Sequence, residues 1–152
     1  MESDAVMNHP ELEFFNSISA ELELELTIPP EPIANLMNLV ASPEARLKDL
    51  RLVPTLFNEE TNEFRPLTAE ELQSTAFEGP EITLLGESQI PITHRAPDGT
   101  RFTVQELLQA ITETERQTRE QTEWFGGIDV QHVHFEGLEE QPDSQWLICW
   151  GS

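Results

Sequence analysis

Hydrophobic and polar residues alternate strictly along residues 21–28, Glu-Leu-Glu-Leu-Glu-Leu-Thr-Ile. A period of two places successive side chains on opposite faces of a strand, whereas helical spacing fits this run poorly. The leucines would face the core, and Glu21, Glu23 and Glu25 would share the opposite face. The pattern therefore predicts a half-buried strand that ends at Pro29-Pro30.

The segment that follows is predicted to be helical and then irregular. Apolar residues at helical spacing predict a helix over residues 31–41. Ser42-Pro43 is suited to begin a second helix, which would carry Leu47 and Leu50. Two prolines interrupt residues 52–66, which we interpret as irregular or weakly extended.

Two capping boxes predict the helices of the second half of the chain. A Thr followed three residues later by Glu can satisfy two backbone N–H groups at the start of a helix. Thr68 and Glu71 predict a short helix over about 69–75 in this way. Thr103 and Glu106 predict a longer helix, which begins with a clear apolar stripe.

The apolar stripe of the longer helix ends at Ile111. Residues 112–123 are all Thr, Glu, Gln or Arg, which is typical of a helix surface in contact with water. Side chains four residues apart are neighbours on a helix, so two pairs of opposite charge in this stretch would form weak ion pairs. They are Glu115 with Arg119, and Arg116 with Glu120.

The remaining apolar runs predict strands that form hairpins. Residues 81–86 and 89–95 would pair around a turn at Gly86, and residues 129–136 and 145–150 would form a second hairpin. The strands do not alternate regularly with long helices, so a doubly wound parallel sheet is disfavoured. We therefore predict an α+β fold, a mixed and mainly antiparallel sheet with helices packed on one face.

Length and composition predict one folded domain. Residues 1–19 are expected to form a loose or short-helical N-terminus, and residues 20–152 a single α+β domain. Hydrophobic residues make up 38% of the chain and eight are Phe, which is enough to build a core. The N-terminus does not resemble a secretory signal, and no apolar run approaches the roughly 20 residues that span a bilayer. A cytoplasmic location is expected.

The chain carries 29 Asp and Glu against 8 Lys and Arg, a formal net charge of -21 over 152 residues. The acids are spread almost evenly, so they do not form an acidic tail on a neutral domain. Such a surface repels nucleic acid and anionic membranes and attracts basic partners. Excess acid with a single lysine is also typical of salt-adapted proteins. That adaptation generally enriches Asp as well as Glu, but only five of the 29 acids are Asp.

The segment His132-Val133-His134-Phe135-Glu136 is the most metal-like group of residues. On a strand, His132, His134 and Glu136 would point to the same face. Two imidazoles and a carboxylate suit zinc or a similar divalent metal, with a further ligand such as His94 or Asp129. Alternatively, the three side chains simply face water on a half-exposed strand.

Two groups are candidates for partner binding. Trp124 and Phe125 follow the polar part of the long helix and would serve as apolar anchors, or else fold back over the sheet. Glu21, Glu23 and Glu25 would repeat at about 6.6–6.8 Å along one strand face. That spacing is close to the ~7 Å of two phosphate steps in one DNA strand, although any alternating Glu strand shares it.

These observations favour a non-enzymatic acidic protein, without a cofactor, that engages a basic protein partner and neither nucleic acid nor membrane. It would be an immunity protein or inhibitor of a nuclease-type toxin, or a DNA mimic that regulates a nucleic-acid-binding protein. One alternative is a small metal-dependent enzyme or metal-binding protein that uses His132, His134 and Glu136. Another is a structural subunit whose strands in 129–150 pair with a second copy. The sequence leaves the oligomeric state open.

Overall fold

Nine strands and three helices form a mixed α+β architecture in the part of the chain that the computed structural model describes, residues 10–26, 47–121 and 132–151. The helices are α1 (Leu12–Asn16), α2 (Ala69–Gln73) and α3 (Val104–Thr118). The strands are β1 (Ser19–Leu26), β2 (Leu47–Asn58), β3 (Glu63–Arg65), β4 (Thr75–Glu78), β5 (Glu81–Leu85), β6 (Pro91–Arg95), β7 (Arg101–Thr103), β8 (His134–Gln141) and β9 (Gln145–Gly151).

Seven of these strands form one sheet in the order β3-β2-β1-β8-β9-β5-β6, and β4 pairs with β7 in a separate two-stranded sheet. Every described pairing is antiparallel except that between β5 and β9. The prediction of a mixed, mainly antiparallel α+β domain is therefore confirmed. None of the described helices is long and apolar enough to cross a membrane.

The core lies between one face of the large sheet and the helices α1 and α3. The apolar stripe of α3 is fully buried, and Phe15 of α1 packs edge-on against Phe135 of β8 at 5.6 Å between ring centroids. Leu84 of β5 and Ile148 of β9 are buried in the same core. The helices thus cover one face of the sheet.

The alternation along residues 21–28 correctly predicts strand β1. Ala20 and Leu22 are buried, whereas Glu21, Glu23 and Glu25 are exposed on the other face. β1 lies between β2 and β8, so the glutamates stand near the middle of a continuous sheet face. Residues 27–46 lie outside the described part, and with them the predicted end of this strand and the predicted helix over 31–41.

The prediction of a helix through Leu47 and Leu50 is wrong, because both residues lie on strand β2. Residues 52–66, interpreted as irregular or weakly extended, are extended over residues 52–58 and in β3, with a turn between these strands. β2 pairs with β1 from Leu47 to Thr55 and with β3 from Leu56 to Asn58. The pairing of β1 with β2 shifts by one residue between Glu25 and Leu26, which is a β-bulge. Because the bulge adds one residue to β2, Leu47 and Leu50 are three residues apart in sequence, a spacing that also fits one side of a helix. Pro54 is tolerated because β3 pairs only with the end of β2, which leaves Pro54 at an edge of the described sheet.

Both capping boxes are present. In each, the Thr hydroxyl accepts a hydrogen bond from the Glu backbone N–H and the Glu carboxylate accepts one from the Thr N–H, at Thr68/Glu71 and at Thr103/Glu106. The strands around Gly86 also form as predicted. In the described residues, β8 runs from His134 to Gln141 and forms the predicted hairpin with β9, while residues 129–131 of the predicted strand lie outside them.

Glu71→Gln tests how the first capping box contributes to acid stability. Two hydrogen bonds from Arg65 and one from the Thr68 N–H lower the pKa of Glu71 from its ordinary 4.5 to about 2. A carboxylate with a lowered pKa stabilises the folded state above its unfolded pKa and loses that contribution as the pH falls through its folded pKa. We therefore expect wild type to be more stable than Glu71→Gln above about pH 5, and the difference to shrink as the pH falls and to vanish below about pH 2. Urea unfolding of both proteins across this range measures the difference. Because Gln also accepts in a capping box, a difference that is independent of pH would contradict the assignment to the Arg65 pair.

Candidate functional site

The row of Glu21, Glu23 and Glu25 is a strip of mixed charge. Arg51 of β2 stands directly across from Glu23 and donates from Nε to Glu23 Oε1 at 2.7 Å. Lys48 Nζ lies 3.6 Å from Glu25 Oε2. Glu21 faces Val53 on one side and His134 on the other, and forms no salt bridge in the described structure. The three carboxylates share a face as predicted, but two of them have cations of the same chain beside them.

The chain uses most of its cations internally. In the described ranges, salt bridges to carboxylates involve six of the eight Lys and Arg and seven of the 29 Asp and Glu. Arg116 bridges two acids at once, with nitrogens 3.1 Å from Asp49 Oδ1 and 2.9 Å from Glu113 Oε1. The hydrogen bond from Arg116 contributes to lowering the pKa of Asp49, after the larger effect of the Leu50 N–H. Few cations therefore remain to offset the other carboxylates.

Exposed carboxylates gather where the sheet turns. The connection between β2 and β3 carries Glu59, Glu60 and Glu63, all exposed. The hairpin from β8 to β9 carries Glu139, Glu140 and Asp143, also exposed, and residues 132–151 contain no Lys or Arg. Because these turns project from the ends of the strands, their charge is well placed to act on an approaching partner.

An acidic cleft of about 690 Å³ opens between α1 and α2. Glu11, Glu13, Glu70 and Glu71 line it, together with the half-buried ring of Phe14. Glu11 accepts a hydrogen bond from the Glu78 N–H at 2.8 Å, and Glu71 is held by Arg65. Two of the four carboxylates therefore have fixed positions.

The proposed metal ligands are only partly brought together. His134 and Glu136 both lie exposed on β8, on either side of the buried Phe135. His132 precedes the strand and is half-buried, with Nδ1 3.8 Å from Glu87 Oε2. Among the described residues, no three His, Cys, Asp or Glu side chains are grouped closely enough to hold a metal ion. The metal site stays a prediction from sequence, and its suggested ligand Asp129 lies outside the described residues.

His94, the other suggested ligand, is hydrogen-bonded inside the protein. Its Nε2 lies 2.7 Å from Thr114 Oγ1, and that hydroxyl donates to the Ala110 carbonyl oxygen at 2.9 Å. Since the hydroxyl proton is used, His94 Nε2–H must be the donor. Burial lowers the pKa of His94, which favours this neutral imidazole.

A buried ion pair joins Glu115 of α3 to Arg119, the residue that follows the helix. The sequence predicts this pair from its spacing, but it does not predict its burial. Glu115 and Arg119 are both 0% exposed, and Arg119 Nε donates to Glu115 Oε1 at 2.7 Å. Glu115 Oε2 accepts from Trp150 Nε1 at 2.8 Å and from the Glu87 N–H at 3.0 Å. Helical spacing thus pairs Glu115 with Arg119 correctly, and the pair is buried because β9 and the Gly86 turn cover this side of the helix.

The second predicted ion pair of this stretch does not form. Arg116 points to Asp49 and Glu113, and Glu120 instead accepts a hydrogen bond from the backbone N–H of Leu47 at the start of β2. Arg116 and Glu120 thus tie the end of α3 and the residues that follow it to β2.

The aromatic residues exposed in the described structure are ones that the sequence interpretation missed. Trp124 and Phe125, the predicted anchors, lie outside the described residues. Phe57 and Phe64 are 45% and 60% exposed, and they are the large hydrophobic side chains that the described surface leaves open. Two aromatics flanking the polar run Asn58-Glu59-Glu60-Thr61-Asn62 could have indicated this hairpin.

The described residues thus combine an acidic surface, an exposed aromatic pair and a buried carboxylate whose two oxygens both accept hydrogen bonds from the protein. Such a carboxylate is held in place as a structural group. The surface features are those of recognition by charge and apolar contact. No protein family model, no curated protein and no solved structure matches this chain.

Proposed function

We propose that this chain is a non-enzymatic acidic protein that engages a basic protein partner. The partner is a nuclease-type toxin, for which the chain acts as an immunity protein or inhibitor, or a nucleic-acid-binding protein, which it regulates as a DNA mimic. The observation that carries the proposal is the use of cations inside the chain. Within residues 10–26, 47–121 and 132–151, six of the eight basic residues of the chain already bridge internal carboxylates, and most of the other carboxylates described there are exposed.

The arrangement supports fast, charge-steered association. An excess of one charge over the whole surface raises the encounter rate with an oppositely charged protein and depends on ionic strength. The same excess disfavours nucleic acid, because phosphate contacts need clustered Lys and Arg. Glu21, Glu23 and Glu25 would form part of the contact surface, and Trp124 and Phe125 would contribute apolar contacts.

The expected result is a complex whose association rate falls steeply with added salt. The tagged chain would be used to capture proteins from a lysate of the source cells, and the captured proteins would be identified and purified. Raising NaCl from about 50 mM to about 500 mM should then slow association at least tenfold and change the dissociation rate little, because screening acts on the encounter.

Two outcomes would contradict the proposal. One is that the specifically bound proteins are neutral or acidic. The other is a bound protein whose association rate is the same at both salt concentrations. Elemental analysis of the purified chain provides a separate check on the metal hypothesis, which requires about one zinc or similar ion per chain at His132, His134 and Glu136.

A further inference from the structure

Phe57 and Phe64 form an exposed cross-strand pair at the edge of the large sheet. They stand directly opposite each other on β2 and β3, with ring centroids 5.1 Å apart and ring planes inclined by 60°. Alternation along β2 places Phe57 on the same sheet face as Arg51, opposite the buried Leu50. The pair therefore extends the face that carries the row of glutamates.

The hairpin that presents the two rings is held in place by its own contacts. Asn58 Oδ1 accepts from the N–H groups of Glu60 and Thr61 at 2.8 and 3.3 Å, and the Asn58 carbonyl oxygen accepts from the Asn62 N–H at 2.7 Å. On the other side, two nitrogens of Arg65 donate to the two carboxylate oxygens of Glu71 at 2.9 and 2.7 Å. A surface ordered before binding loses less entropy when it binds.

Single exposed hydrophobic residues are ordinary, but two aromatic rings in contact form a small apolar patch. The patch is flanked by the exposed carboxylates Glu59, Glu60 and Glu63, and residues 58–64 contain no Lys or Arg. A second copy of the chain would bring the same carboxylates and a net charge of -21 against this patch. Charge complementarity therefore selects a basic partner over self-association.

We infer that the Phe57–Phe64 pair is the apolar anchor for a basic protein surface that presents aliphatic side chains among its Lys and Arg. This inference rests on the proposed function, and it adds that the β2–β3 hairpin makes an apolar contact with the basic partner. Aromatic side chains in a polar and charged surround are typical of binding hot spots, where the rings supply residence time and the flanking charges supply the encounter rate.

Titration with two synthetic lysine peptides of equal length and charge tests the anchor. One peptide carries leucines at spaced positions, and the other has serine in their place. At low salt, we expect the leucine peptide to bind about tenfold more tightly, a difference that corresponds to burial of a few aliphatic groups. NMR of the wild-type chain should show its largest shift changes at the rings of Phe57 and Phe64 and the amides of β3.

Two variants separate apolar from charged contributions. Phe57→Ser/Phe64→Ser should remove the preference for leucine and leave binding of the serine peptide unchanged. Glu59→Gln/Glu60→Gln/Glu63→Gln should weaken both peptides by a similar factor and keep the preference. If the double Phe variant does not fold, the wild-type shift map still decides the question.

The outcomes for the two proposals differ. If both peptides bind equally, or if the leucine peptide shifts residues away from this hairpin, the anchor is overturned while a basic partner stays proposed. If neither lysine peptide binds at low salt, the proposed function fails and the anchor fails with it. Dimerisation of the wild-type chain that the Phe57→Ser/Phe64→Ser variant abolishes would assign the patch to self-association and overturn the inference.

Discussion

Arg119→Met is expected to lower the free energy of unfolding by about 3–5 kcal/mol, because removing one member of a buried ion pair leaves the other charge uncompensated. Glu115 and Arg119 are both 0% exposed and share a 2.7 Å hydrogen bond. Arg119 also donates from an Nη to the His132 carbonyl oxygen at 3.0 Å and lies 5.4 Å from the centroid of the Trp150 ring. Its loss would therefore loosen α3, β9 and the start of β8 together. Urea denaturation followed by tryptophan fluorescence measures the change.

Arg116→Met is the matched control, three positions before Arg119 on the same helix. The Arg116 side chain is 42% exposed, and its partners Glu113 and Asp49 are also exposed to solvent. Exposed pairs contribute little, so this variant should lose about 1 kcal/mol or less. The double variant Glu115→Leu/Arg119→Met should be more stable than Arg119→Met alone, because it leaves no buried charge. Equal losses for Arg119→Met and Arg116→Met would show that the inner pair is not desolvated.

The contrast between Arg116 and Arg119 shows that the local sequence pattern does not predict which charged side chains are buried. Residues 112–123 contain only polar side chains, and a polar stretch of helix ordinarily faces water. Glu115 and Arg119 are buried by parts of the chain that are distant in sequence. The Trp150 indole N–H and the Glu87 backbone N–H both donate to Glu115, from 35 and 28 residues away. Helical spacing correctly pairs Glu115 with Arg119 but carries no information about what covers them.

Local patterns predict those elements whose signal lies within a few residues. The alternation of β1 and the Thr-x-x-Glu boxes of α2 and α3 are such signals, and the structure has all three. β2 has a comparable alternation at Leu50, Leu52 and Leu56, but its first leucine is displaced by a bulge. A bulge adds one residue to one strand, so two side chains on the same face become three residues apart instead of two. A spacing of three also fits one side of a helix.

The candidate surface was predicted less completely than the fold. The common face of Glu21, Glu23 and Glu25 follows from alternation alone. Their neighbours Arg51 and Lys48 follow from the register between β1 and β2, which the sequence does not state. The exposed pair of Phe57 and Phe64 likewise depends on the pairing of β2 with β3, which the interpretation of residues 52–66 as irregular or weakly extended does not contain.

Gly86→Ala is expected to destabilise the protein by about 3 kcal/mol, the upper end of the usual effect of overpacking. Gly86 is buried in the turn after β5, and a Cβ at this position would overlap Glu115 Oε2. That oxygen accepts hydrogen bonds from Trp150 Nε1 and the Glu87 N–H, and the other carboxylate oxygen is bound to Arg119. The carboxylate cannot move aside without breaking charge-assisted hydrogen bonds, each of which contributes about 1.5–3 kcal/mol.

Gly151→Ala provides a control with a similar steric conflict, against a side chain that is exposed. A Cβ at Gly151 would overlap Glu136 Oε2, but Glu136 is exposed on β8 and its side chain is free to rotate into solvent. We expect this variant to lose less than about 1 kcal/mol, as surface substitutions usually do.

A second control repeats Gly86→Ala in the background Glu115→Ala/Arg119→Met, which removes the carboxylate. The nearest remaining atom to a Cβ at position 86 is then Thr114 Cγ2 at 3.4 Å. Gly86→Ala should then cost about 1 kcal/mol or less, and this coupling is what a double-mutant cycle measures. If Gly86→Ala is equally costly in both backgrounds, strain in the turn, and not the anchored Glu115 carboxylate, excludes a side chain at position 86.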